Sequence, residues 1–352
     1  MQSIESDKQI IHFNSNGYKK LNTLLAQKQY SIVFVLVDEN THEACLSPFL
    51  QLVETTSNIE IIEIESGEAQ KNIETCAGIW NALTELNADK KSVLINLGGG
   101  VITDIGGFVA STFKRGMDYI NVPTSLLAMV DAAIGGKTGV DLGHLKNQIG
   151  VINNSEMVLI DTRFLDTLEP NQLRSGLAEM LKHGLIYDRE YWLKLTTEPV
   201  VDFQLPVYES VVIKQRIVEQ DPSEQHLRKT LNFGHTLGHA IESYFLSNPN
   251  KPSLLHGEAI AIGMVLACFI STKLTNFPIQ DCQHIKEVIK SIYGHVTINT
   301  SEYPAIINLL KYDKKNTHGN INFVLLEAIG TPRVDCQVSN SLIEDAFNYY
   351  KL

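Results

Sequence analysis

The sequence predicts an α/β domain of Rossmann-like, parallel-sheet type followed by a mainly helical domain, and three observations carry that reading. Short β-branched runs alternate with helix-period segments through the first half of the chain. Three consecutive glycines, Gly98-Gly99-Gly100, close one of those runs. Beyond about residue 162 strand signal nearly vanishes and apolar helical patterns take over. The 352 residues suffice for two domains with separate cores, and the change of character places them at residues 1–165 and 166–352.

Residues 31–37 form the first β-branched run, of the kind found in a strand covered on both faces. Asp38 and Asn40 follow at its carboxyl end, where ligands of open α/β sheets bind. Residues 59–64 read as a second strand, and 71–86 as a helix through Ile73, Cys76, Ile79, Leu83 and Leu86. The turn entering that helix, Ser66-Gly67-Glu68-Ala-Gln-Lys71, offers a carboxylate suited to ribose hydroxyls or to a simple helix cap. Residues 92–97 then run into the triple glycine and on through Val101, Ile102, Thr103 and Asp104. A glycine-rich turn between strand and helix lets backbone amides reach a pyrophosphate, or lets helix and sheet pack closely. Residues 119–122 and Met157–Ile160 complete the sheet. Between them, Thr124, Ser125 and Asp131 lead to a loop, Gly135-Gly136-Lys137-Thr138, with Lys146-Asn147 beyond Gly143. Lysines in such glycine loops of an acidic protein point to a phosphate or carboxylate.

In the second domain Pro170 fits the first turn of a helix running through Leu173, Leu177 and Leu181. Glu179 and Lys182 lie one turn apart on it, a spacing that also suits a plain surface pair. Helical patterns follow at 211–218, 232–245 and 258–274, and a strand at 321–326. His235 and His239, four apart, project from one helical face, and Asn232 shares it. Gly234 and Gly238 each weaken a helix by ~1 kcal/mol relative to Ala, a cost that makes sense where a metal or ligand approaches the backbone. With His256 and Glu179 these histidines supply nitrogen and oxygen ligands for a zinc-type site with an open position. Spacing alone pairs His235 with His239. Lys214, Arg228 and Lys314-Lys315 add anion binders.

Composition sets the outer limits. With 44% hydrophobic and 20% charged residues the chain reads as an ordinary globular protein. A net charge of −11 argues against nucleic acid or an anionic membrane as partner. The first eight residues carry acids where a signal peptide needs an apolar core, and the apolar run 259–270 is short for a bilayer. Five scattered cysteines, never spaced as Cys-x2-Cys, read as reduced thiols of a cytoplasmic protein.

Taken in order, these motifs resemble the 3-dehydroquinate synthase family of sugar-phosphate cyclases. The residues that carry the likeness are Ser66-Gly-Glu-x-x-Lys71, Gly98-Gly-Gly-x-x-x-Asp104, Phe113-x-Arg115-Gly, Pro123-Thr-x-Leu-Leu-Ala-x-Val-Asp131 and Gly135-Gly-Lys-Thr138. Further on come Gly143-x-x-Lys146-Asn147, Ser175-Gly-x-Ala-Glu179-x-x-Lys182, Arg228-x-x-x-Asn232-x-Gly-His235-Thr-x-Gly-His239 and His256-Gly-Glu258. The likeness spans roughly residues 30 to 335. It implies an NAD-binding domain, a helical metal-binding domain, a cleft between them and a homodimer. The implied reaction converts 3-deoxy-D-arabino-heptulosonate 7-phosphate to 3-dehydroquinate and phosphate, with NAD reduced and reoxidised in each turnover.

The same resemblance assigns roles. Glu179, His235 and His256 would hold zinc or cobalt, correcting the His235–His239 pairing, and His239 would face the substrate phosphate. Lys137, Asn147 and Arg228 would position that phosphate, with Lys314 or Lys315 closing over it. Lys182, Lys214 and Asn232 would hold the carboxylate and hydroxyls, and Arg115 would reach a neighbouring subunit. NAD would meet Asp38, Asn40, Ser66, Gly67, Glu68, Lys71, Gly99, Gly100, Val101, Ile102, Thr103, Asp104, Thr124, Ser125, Asp131, Lys137, Lys146, Phe164 and Thr167. Three departures from the family pattern stand out: Ala132-Ala133 in place of two serines, Ser125 in place of a threonine, and His226 in place of a glycine. The rival readings are a cyclase of the same fold acting on another sugar phosphate, a polyol dehydrogenase using NAD and a metal, and a non-catalytic binding module.

Overall fold

The computed structural model describes residues 1–6, 9–143, 145–312 and 321–352. Lys314 and Lys315 lie outside the described residues. The chain forms two compact units, Met1–Glu169 with Phe203–Gln215, and Pro170–Asp202 with Arg216–Leu352.

The first unit is built on strands β1 (Ile4–Glu5), β2 (Ile10–Phe13), β3 (Ile32–Asp38), β4 (Asn58–Ile64), β5 (Val93–Gly98) and β6 (Asp118–Pro123), then β7 (Lys137–Leu142), β8 (Leu145–Ile152) and β9 (Met157–Ile160). Seven of them make one sheet in the order β1-β2-β9-β6-β5-β3-β4, parallel throughout except for the β1–β2 pair. Val33–Val37 and Val93–Ile95 are completely buried, as expected where helices cover both faces of a parallel sheet. The chain leaves β3 for the edge strand β4, then returns across β3 to β5 and continues to β6. Strand order therefore reverses between β3 and β5. The crevice outside the carboxyl ends of two such strands is where open α/β sheets bind ligands.

The sequence reading lacks β1 and β2 and the helix Asn14–Lys28 between β2 and β3, and other elements differ from it in extent. The glycine loop at 135–138 is shorter than expected, because Lys137 already opens β7, which pairs with β8 as a separate antiparallel hairpin. Gly139 and Gly150 lie opposite each other there, and a Cβ on either would meet backbone oxygen at 2.3 or 2.2 Å. The helix read at 211–218 spans Gln204–Gln220, and its opening turns belong with the first unit. Tyr208 packs edge-on against Phe13 at 5.2 Å, and Gln215 Nε2 donates to Ser6 Oγ at 2.9 Å.

The second unit is helical around His256–Leu274, which is buried along nearly its whole length. By length and composition this helix would suffice to cross a membrane, but 72% of it is buried inside the protein. It packs against helices Pro170–Tyr187, His235–Ser247, Ile279–Tyr293 and Asn340–Lys351 and strand β10 (Asn322–Ala328). A second strand missed in the sequence, β11 (Thr331–Gln337), pairs antiparallel with β10. Its alternating burial is clear, yet Pro332 and a tight Gly330 turn obscure it in the sequence.

Candidate active site

In the second unit three helices converge. Ser175 in the helix Pro170–Tyr187 accepts a hydrogen bond from Gly257 N at 2.9 Å. A Cβ on Gly257 would sit 2.0 Å from Ser175 O, so glycine is required for this approach. The contact sets His256, at the start of its helix, beside Glu179, one turn beyond Ser175. The second crossing joins His235–Ser247 to His256–Leu274. Gly234, at φ +77°, and Gly238 lie against Met264 and Ile260 with no room for a side chain. The glycines expected to admit a metal or ligand thus admit the neighbouring helix instead.

Asn232 requires a correction. The helix begins at His235, after a 3-10 turn over Leu227–Asn232 and the left-handed Gly234, so Asn232 does not share the histidines' helical face. Its amide donates to Glu224 Oε1 at 2.9 Å.

Glu179 and Lys182 form no surface pair. Both are buried, and the Lys182 ammonium bonds Glu179 Oε2. The other oxygen, Oε1, is buried with no hydrogen-bond partner among the described residues. His235 Nε2 lies 3.2 Å from it and His256 Nε2 3.8 Å. The ring nitrogens of His235, His239 and His256 also lie within 4.8 Å of one another. Ligands about 2.0–2.2 Å from one tetrahedral zinc stand roughly 3.3–3.6 Å apart, so this nitrogen and oxygen set fits a divalent cation.

The charge states of Glu179 and His235 agree with that fit, whereas His256 must give up a proton to a cation. Burial alone would raise the Glu179 carboxyl, but Lys182 and His235 hold it well below its ordinary range. Burial and the Lys182 charge lower His235, leaving its imidazole neutral. Its Nδ1 meets Phe233 O at 3.1 Å, which turns Nε2 towards Glu179. Against burial, Glu242 and Glu179 push His256 up to about 10.

The first unit carries a polar cluster of its own. Strand β5 ends at Gly98, Gly99 caps the next helix, and Gly100–Thr112 follows directly. The expected long glycine loop through Asp104 is thus a one-residue turn, with 100–104 already helical. Ile102 and Thr103 turn buried side chains to the core, and a Cβ on Gly98 would meet Ile102 Cγ1 at 2.5 Å. The groups this turn offers to an anion are the backbone amides at the helix start. Asp104 forms a buried ion pair with Lys71. Burial opposes the Lys71 ammonium, but Asp104 and Glu68 hold its pKa above the ordinary value. Lys146 bridges Glu68 Oε1 at 2.7 Å and Asp141 Oδ2 at 3.1 Å. Glu68, Lys71, Asp104 and Lys146, scattered through the sequence, therefore meet in one place. Asp141 joins them and was not anticipated. It also accepts from Asn147 N at 2.6 Å, holding that exposed residue at φ +51°.

Two family models match the chain, 3-dehydroquinate synthase N-terminal over residues 61–175 and 3-dehydroquinate synthase C-terminal over residues 176–316. A 3-dehydroquinate synthase of Parabacteroides distasonis is 40% identical over 337 residues, covering 94% of this chain and 95% of that protein. This chain belongs to the 3-dehydroquinate synthase family. A relative of the same name from Clostridium botulinum is 38% identical over 304 residues, 85% of this chain and 86% of that protein. Among solved structures the fold is similar to that of a 2-deoxy-scyllo-inosose synthase complexed with carbaglucose-6-phosphate, NAD+ and Co2+ (TM-score 0.83, 23% identity, 99% of both chains). It is also similar to a glycerol dehydrogenase of Schizosaccharomyces pombe, with a TM-score of 0.65 and 13% identity over 99% of this chain and 92% of that one.

The remaining residues expected from the family pattern are placed as follows. Lys214 is buried in the first unit, bonded to Asp131 Oδ1 at 2.6 Å. Arg228 is buried, and its guanidinium donates to Pro222 O at 2.8 Å. Asp221 gathers that loop, accepting from the backbone amides of Gln225, His226 and Arg228. Arg115 and Lys137 are exposed. Asp38 turns its carboxylate back to cap the adjoining turn, accepting from Thr41 N at 2.8 Å, while Asn40 is exposed. Ser66 donates to Glu39 at 3.2 Å, and Gly67 sits at φ +106° with open space around it. Thr124 is buried, its N–H on Gly98 O, and Ser125 Oγ accepts from Ala128 N. Phe164, buried, and Thr167 lie on one short turn.

Proposed function

We propose that this chain is a working 3-dehydroquinate synthase, converting 3-deoxy-D-arabino-heptulosonate 7-phosphate to 3-dehydroquinate and phosphate with NAD and a divalent cation. Family membership over most of the chain supports the reaction class. The observation that carries it beyond the shared fold is the set of buried cations, Lys182, Lys214 and Arg228, in a protein of net charge −11. Burying a cation is costly unless an anion meets it. Lys182 already meets Glu179 and Lys214 meets Asp131, and a substrate bearing a carboxylate and a phosphate suits such a concentration of cations better than an uncharged polyol does.

In this reading Glu179, His235 and His256 hold the cation, with Glu179 Oε1 supplying the carboxylate oxygen. Zinc or cobalt held there would supply Lewis acidity to substrate hydroxyls, and NAD a reversible hydride acceptor. Glu68, Lys71, Asp104 and Lys146 fix the dinucleotide, with backbone amides of residues 99–104 on its pyrophosphate. Asp38, Asn40, Ser66, Gly67, Thr124, Ser125, Asp131, Phe164 and Thr167 complete that set. Arg228, His239, Lys137 and Asn147 position the phosphate. Lys182, Lys214 and Asn232 hold the carboxylate and hydroxyls. Arg115 serves a neighbouring subunit of a homodimer. The five cysteines are free thiols, which supports a reducing, cytoplasmic setting.

The test is incubation of purified protein with heptulosonate phosphate, NAD and zinc, reading products by mass and NADH by absorbance. Equimolar dehydroquinate and phosphate without NADH accumulation is the expected result. NADH formed in proportion to product would make the chain a dehydrogenase and overturn the reading.

A further inference from the structure

His256 is the first residue of its helix and its side chain is 27% exposed, so local backbone packing does little to fix its ring. Glu242 supplies the restraint. Its Oε2 lies 3.1 Å from His256 Nδ1, on the side of the ring away from Glu179. Glu242 stands two turns after His235 on the helix His235–Ser247, so it shares the face that carries His235 and His239. The two imidazoles are thus aimed by different devices: His235 by the main-chain carbonyl of Phe233, His256 by a side-chain carboxylate. With Nδ1–H donating to the carboxylate, the proton that a cation displaces is the one on Nε2, which leaves that nitrogen's lone pair to the metal.

We propose that Glu242 is a positioning residue, holding His256 in the tautomer and rotation that present Nε2 to the cation beside Glu179. This rests on the cation reading given above. The test uses the full-length chain and the variants Glu242→Ala, Glu242→Gln and Tyr244→Phe. Tyr244 lies on the same helix and bonds Glu302 at 3.2 Å, so its variant reports on loss of a nearby structural contact. Zinc affinity is measured by competition with a chromogenic chelator, the coordination geometry by the visible absorption of the Co2+-loaded protein, and folding by thermal melting.

Glu242→Ala is expected to weaken zinc binding about 10–100-fold and to change the Co2+ spectrum. Glu242→Gln keeps an acceptor oxygen and is expected to fall between Ala and the parent. Tyr244→Phe is expected to leave metal affinity alone. If the parent binds zinc and both Glu242 variants bind it equally with an unaltered Co2+ spectrum, the positioning role is overturned while the metal site stands. A parent protein that binds no zinc would overturn the metal site and this role together. Should Glu242→Ala fail to fold, the Gln variant decides by the same two readouts.

Discussion

Replacing Gly263 by alanine tests whether the crossing of two helices, rather than ligand access, is what the glycines near the histidines provide. A Cβ at position 263 would lie 2.0 Å from Gly234 O and 2.8 Å from Gly238 N. Both are backbone atoms and cannot rotate away, so the helices His235–Ser247 and His256–Leu274 must separate by more than an ångström. Overpacking of this kind costs about 1–3 kcal/mol. In a domain of 150–250 residues each kcal/mol shifts Tm by about 2–4 °C, so melting should fall by roughly 2–12 °C. His235 follows Gly234 directly, and His256 begins the helix that carries Gly263. Ligand geometry tolerates displacements of only about 0.5 Å, so zinc affinity should drop by at least roughly tenfold, as read by chelator competition. Gly78→Ala provides the contrast. Gly78 lies on the exposed side of the helix Ile73–Glu85 with nothing within 4 Å of a new Cβ. It should stabilise by about 0.8–1 kcal/mol through helix propensity alone. If Gly263→Ala melted with the parent and bound zinc equally well, the close crossing would have no part in building the site.

Two further substitutions bear on the assigned roles. Arg228→Lys keeps a charge but loses the planar guanidinium. A charge-assisted hydrogen bond contributes about 1.5–3 kcal/mol, so kcat/KM should fall on the order of ten- to a hundredfold with zinc content unchanged, and unaltered kinetics would remove Arg228 from the site. Lys71→Met leaves Asp104 without its buried partner, a change that costs about 3–5 kcal/mol. Melting temperature and NAD affinity by calorimetry should both fall, while zinc binding, measured on the same preparation, should hold.

What the sequence made legible follows the range over which each signal acts. The central strands β3 and β5 showed through as unbroken apolar runs, because a parallel sheet covered on both faces demands them. Ser66–Lys71, Gly98–Asp104 and the histidines were visible because their residue types are costly unless used. Partnerships between distant segments were not visible. That Lys146 meets Glu68, that Asp141 joins them, and that Glu242 faces His256 depend on tertiary packing, which leaves no periodic trace. The same limit explains the misplaced Asn232. Period reading extended the helix back through Gly234, whereas that glycine takes the left-handed conformation and starts the helix afresh at His235. The glycines at 234 and 238 do mark a close approach, and what approaches is a neighbouring helix. Gly234, Gly238, Gly257 and Gly263 all admit protein backbone or side chains from the same unit. Close packing and ligand approach ask the same thing of a glycine, and only the neighbour's identity separates them. The orphaned Oε1 of Glu179 separates them here. Helix packing gives no reason to bury a carboxylate oxygen 3.2 and 3.8 Å from two imidazole nitrogens without a well-formed hydrogen bond among the described residues, and a cation does.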